Sequence, residues 1–102
     1  MKYAILIAVL LSTSAAQASE QSKDEMCKRW GDLALKIMDL RQSETPMNEV
    51  MKVADVKDGA SVTRQIITWA YEQPSYSTKS IRERTIAEFR NRVELACFKS
   101  AE

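Results

Sequence analysis

A small all-α protein is what this sequence predicts: a four-helix bundle stapled by one disulfide, after a cleaved signal peptide. Three observations predict it. Glycine and proline number only 2 each, too few for the repeated turns of a small sandwich or barrel. Apolar residues recur at steps of three and four along most of the chain, the period of helices buried on one side. Two cysteines, Cys27 and Cys97, stand near the two ends of the region so patterned.

Residues 1–18 read as a leader and 19–102 as one helical domain. Met1-Lys2 supplies a single positive charge, and Tyr3 to Leu11 is an apolar run. Ser12-Thr13-Ser14 follows, and Ala16-Gln17-Ala18 is a small-x-small cleavage site. That is the three-part pattern of a secretory signal, with cleavage expected between Ala18 and Ser19. The apolar run is about half the ~20 residues a spanning helix needs, so no stable membrane anchor is expected. The short leader has a bacterial look and addresses the protein to the periplasm or the exterior.

The first helix is expected from Ser22, where Ser22-Lys23-Asp24-Glu25 has the form of a capping box. Met26, Trp30, Leu33, Ile37 and Leu40 then form one stripe. Polar residues 41–44 connect to a short second helix, with Thr45 as N-cap and Pro46 at the first helical position. Met47, Val50, Met51 and Ala54 carry it to about Val56, and Asp58-Gly59 stops it. The third helix runs from about Ser61 to Glu72. Its β-branched residues at 62, 63, 66, 67 and 68 make a strand the competing assignment. The 62-66-69-70 spacing without alternation favours a helix. Gln73-Pro74 ends it. A second capping box, Ser80-Ile81-Arg82-Glu83, opens the last helix, which runs to about Phe98 with Ile81, Thr85, Ile86, Phe89, Val93, Ala96 and Cys97 on its buried face.

Two cysteines allow one pairing. An exported domain meets oxidants, and small domains with thin cores often carry such a staple. The spacing is far from the C-x-x-C of redox catalysts, so a structural bridge is expected. Joining the start of the first helix to the end of the last one favours antiparallel packing of those two, with the shorter helices laid across them.

The chain has no histidine, which removes Ser-His-Asp and Cys-His mechanisms and every His-ligated zinc site. Asp55, Asp58 and Gly59 resemble a fragment of a calcium loop, but Lys57 occupies a ligand position and no closing glutamate follows. No metal and no cofactor are expected. Fifteen bases less Lys2 equal the fourteen acids, so residues 19–102 carry no net charge. Such a domain has no general attraction to nucleic acid. Asp24, Glu25 and Asp32 precede Lys28, Arg29 and Lys36 by four residues, and Arg90 precedes Glu94 likewise. These read as solvated ion-laced helix faces rather than catalytic carboxylate pairs. No catalytic residue is assigned.

Recognition is expected instead in Trp69–Tyr76, where aromatic residues crowd a helix end and a proline loop. Trp69 is read as core, and Tyr71 and Tyr76 as the partner-binding candidates; the Met47–Met51 face is the next choice.

Cys27, Arg41-Gln42, Pro46-Met47, Ala70 to Tyr76, Glu88-Phe89-Arg90-Asn91 and Cys97 together resemble a group of short exported proteins of bacteria and bacteriophages. That group has no assigned activity, and the resemblance, over residues 27–97, implies export, helices and the disulfide without a mechanism. The expectation is a non-enzymatic protein that binds another envelope or secreted protein, in the manner of an inhibitor or immunity protein. A periplasmic stress chaperone is the alternative, and a small cell-wall hydrolase stands further off.

Overall fold

The computed structural model describes the backbone of residues 2–52 and 60–100, and the side chains of 22–52 and 61–100. The described residues form four helices and no strand: α1 (Lys2–Gln42), α2 (Met47–Met51), α3 (Ala60–Glu72) and α4 (Lys79–Ser100). The 62–69 segment is therefore helical. Packing of Ile66, Ile67 and Ala70 outweighs the few tenths of a kcal/mol that each β-branched residue costs a helix.

Helix starts depart from expectation. α1 is continuous through Ala18, Ser19 and Ser22, so Ser22 is an interior residue and not an N-cap. Neither glycine nor proline interrupts the preceding residues, and nothing stops the helix from propagating. At α2, Pro46 is the N-cap residue, with φ −59° and ψ 138° and no side-chain cap. Its extended ψ delays the helix to Met47, displacing Thr45 from the capping role. Val56 and Asp58-Gly59, the expected end of this helix, lie outside the described residues. α4 begins one residue before Ser80, and Arg82 N–H donates to the Thr78 carbonyl at 2.9 Å.

The end of α1 is closed by its own backbone. Glu44 N–H donates to the Arg41 carbonyl and Thr45 N–H to the Leu40 carbonyl, both at 3.0 Å. That pair is a Schellman closure, which needs a left-handed residue between helix and exit. Glu44 takes it, with φ 62°, where glycine is the usual occupant.

α1 is the spine. α4 and α3 both pack on it, α2 packs on α3 and α1, and α3 and α4, whose backbones stay further apart, share the core through their side chains. α4 runs antiparallel to α1: Cys27 is bonded to Cys97, Arg90 reaches Asp32, and Lys79 and Arg82 lie beside Asp39 and Gln42. Gly31 is buried at the crossing, and a methyl group there would collide with the Glu94 side chain. The core is one cluster of Ala34, Ile37 and Met38 from α1, Val50 from α2, Ile66, Ile67 and Ala70 from α3, and Phe89 and Val93 from α4. Each large member contributes about 1.5–3 kcal/mol by leaving water.

Candidate functional site

Above the shared core, the facing sides of α3 and α4 leave a groove floored by α1. Its volume is about 410 Å³, inside the ~300–1,000 Å³ range of ligand sites. Met26 and Trp30 form the floor, Val62, Ile66 and Trp69 one wall, and Val93, Ala96 and Cys97 the other. Gln65 and Ser100 add polar atoms at the edges. Ile66 and Val93 are buried at its base, whereas Val62 is 39% exposed. Both tryptophans of the chain line it and both are half-buried.

The disulfide stands in the wall of this groove. Cys27 and Cys97 have Cα atoms 5.5 Å apart and join points 70 residues apart in sequence. Cys27 is fully buried and Cys97 half-buried. The bond pins the end of α4 to α1. Beside it, Asp32 is shared by Lys28 at 3.3 Å and Arg90 at 3.2 Å, and Arg90 also meets Glu94 at 3.2 Å. Lys28 thus reaches forward to Asp32 and not back to Asp24. The Arg90–Glu94 pairing is the one expected.

The Trp69–Tyr76 segment does different work from groove lining, apart from Trp69 itself. Arg41 Nε donates to the Gln73 carbonyl and Gln42 Nε2 to the Pro74 carbonyl, both at 2.9 Å. Tyr76 N–H donates to Gln42 Oε1 at 2.8 Å, and Gln42 Nε2 lies 3.4 Å from Met38 Sδ. The 3%-exposed Gln42 is therefore a clamp that turns the loop back onto α1. Tyr71 donates its hydroxyl proton to the Thr45 carbonyl, and Arg41 lies over its ring at 5.2 Å. Burial pushes its ionisation above the ordinary value, the Arg41 charge pulls it down, and Glu49 adds a smaller push upward.

Of the two expected partner-binding residues, Tyr71 is thus engaged inside the fold. Tyr76 is 38% exposed and lies beside Ser75, Ser77, Ser43 and Arg82 in a shallow polar depression. The two lie on the closed side of the molecule, away from the groove. Trp69, read as core, is packed against the core and also forms groove wall. Met26, Trp30, Val62 and Ala96 were not singled out by sequence as a surface. Their signal was present in the apolar stripes, but not the fact that among the described residues they line a groove. Among the described residues, no group of three or more Cys, Asp or Glu is placed to hold a metal ion, and no helix is long and apolar enough to cross a membrane. No family model, curated protein or solved structure matches the chain.

Proposed function

We propose that this is an exported, non-enzymatic protein that binds another protein of the envelope or the exterior, and that the groove between α3 and α4 receives one helix of that partner. The groove carries the reading. It presents apolar residues at helical spacing on two walls, Val62-Ile66-Trp69 and Val93-Ala96-Cys97, the pattern by which grooves accept an amphipathic helix. Each wall runs for about two turns, roughly 10 Å. Half-buried Trp30 and Trp69 supply the large aromatic area that anchors protein interfaces. Export rests on the leader, and the disulfide is compatible with an oxidising compartment.

Site-directed photo-crosslinking in the exported protein tests this. A crosslinking residue at Val62 should trap one dominant protein partner, whereas one at Arg84, exposed on the far side of α4, should not. Filling the groove with Ala96→Trp should abolish the adduct at Val62. Equal adducts at both positions, or an adduct that survives Ala96→Trp, would overturn the proposal. A broad set of adducts that appears only after acidification speaks for the stress-chaperone alternative instead.

A further inference from the structure

One wall of the groove is built on a stretch of α4 that the core does not reach. Val93 is the last residue of α4 in the core cluster. Beyond it Leu95, Phe98, Lys99 and Ser100 are exposed, and Glu94, Ala96 and Cys97 are half-buried. Ala96 and Cys97 nevertheless form the outer part of the wall, and Cys97 is bonded to Cys27 on α1. The two bonded residues are shielded unequally. Cys27 is fully buried, whereas Cys97 is half-buried and lines the groove. A reductant that enters the groove therefore meets the Cys97 side of the bond.

Taking the groove as a helix-binding site, as proposed above, we infer that the Cys27–Cys97 bond is a redox lock on that site. The reductant reaches it through the groove, and its opening releases the wall that the partner helix needs. The reductant is a dithiol. One of its thiolates attacks Cys97 Sγ, a mixed disulfide forms as the Cys27–Cys97 bond breaks, and Cys27 Sγ leaves with the electron pair and takes up a proton. The second thiolate of the reductant then attacks its own sulfur in the mixed disulfide and releases Cys97, which is protonated in turn. Protein disulfide and dithiol thus become protein dithiol and oxidised reductant, with two electrons and two protons passed to the protein. Without the bond, α4 frays back towards Val93, as helix ends with few buried contacts do, and Ala96 and Cys97 leave the wall. The core around Ile37, Met38, Ile67 and Phe89 and the Gln42 bonds at the other end remain, so the reduced chain keeps its helices.

Two measurements on the exported protein test the lock. In the first, dithiothreitol is the probe reductant, and released thiols are counted by alkylation after an acid quench. Low concentrations of urea should leave the rate unchanged, because the folded protein is attacked directly. Ala96→Trp, which fills the groove beside Cys97, should slow reduction about tenfold, since exchange depends on access to the sulfur. Val62→Trp on the facing wall serves in its place if that variant does not fold. Leu95→Trp, at a 55%-exposed position of α4, should reduce at the original rate. A rate that climbs with urea and is the same in all variants would overturn the inference, because reduction would then wait for unfolding. In the second measurement, Cys27→Ser/Cys97→Ser stands in for the reduced chain and carries the photo-crosslinking residue at Val62. It should keep most of its helix signal in circular dichroism and lose the partner adduct. An adduct as strong as in the oxidised protein, or a variant without helix, would overturn the lock and leave the groove reading standing. Absence of the adduct in the oxidised protein as well would overturn the groove reading and the lock with it.

Discussion

At one end of the α1–α4 pair, Arg41 and Gln42 reach across to the backbone of Gln73, Pro74 and Tyr76, and Tyr71 returns a bond to Thr45. At the other end, Met26, Trp30 and Val62 meet only one side of a groove, and a covalent bond between Cys27 and Cys97 replaces packing. The contrast teaches what a small helical domain can leave open. A loop laid against a helix brings N–H and C=O groups that need partners where the helix shields them from water, so that end is tied down by side-chain bonds to the backbone. Uncovered apolar surface costs only about 25 cal/mol per Å², with no abrupt penalty, so the other end tolerates a groove as long as something holds α4 in place. A disulfide does this without occupying the site.

The largest test of that contrast is to remove the staple. Replacing both cysteines, Cys27→Ser and Cys97→Ser, frees a loop of sequence separation 70 and should cost about 4 kcal/mol in the chain-entropy account. Urea unfolding measures it. Trp30 and Trp69 emission should shift to the red before the main transition, because the open end loosens first. A loss under about 1 kcal/mol would mean that packing along α1 and α4 holds that end unaided.

The matching test at the closed end is Gln42→Ala. It leaves the Tyr76 N–H and the Pro74 carbonyl without their partner, at about 1–3 kcal/mol for each group that water does not reach. Both contacts are partly buried, so an overall loss of about 2 kcal/mol is expected. In a Trp69→Phe background the emission of Trp30 should stay unchanged, since Trp30 lies at the other end, near the disulfide. A shift in it would show that the two ends are coupled through α1.

How far the sequence carries this contrast depends on the kind of interaction. The helix in 62–69 is legible because Val62, Ile66, Trp69 and Ala70 recur at helical steps. The Cys27–Cys97 pairing is legible because only one pairing exists. Helix starts are less so: Ser22 and Ser80 carry capping-box residues, yet α1 runs straight through the first and α4 starts ahead of the second. A cap motif states that a start is acceptable there, not that the preceding residues refuse the helix. The groove is not legible, because an apolar stripe identifies what can be buried and is silent on which neighbour covers it. Nor is the Gln42 clamp, whose partners are mostly backbone atoms that every residue possesses.

The smallest expected effects concern the two tyrosines, and they separate a structural role from a recognition role. Tyr71→Phe keeps the ring under Arg41 and loses only the bond to Thr45, so it should cost about 1 kcal/mol. It should also flatten the alkaline limb of stability. Burial raises the folded ionisation of Tyr71 above its ordinary value, near 10. Its contribution is then complete below that value and is lost as pH rises through the folded one, because the unfolded chain releases the proton more readily. Tyr76→Ala should do less still. The bond to Gln42 uses the backbone N–H, which alanine retains, and the side chain is 38% exposed, so stability should stay within about 0.5 kcal/mol. Its effect on partner binding then decides where recognition sits. If the groove is the binding surface, Tyr76→Ala leaves affinity unchanged while Val62→Glu lowers it at least tenfold. Loss of affinity in Tyr76→Ala, with stability intact, would return recognition to the closed end and leave the groove as unfilled packing.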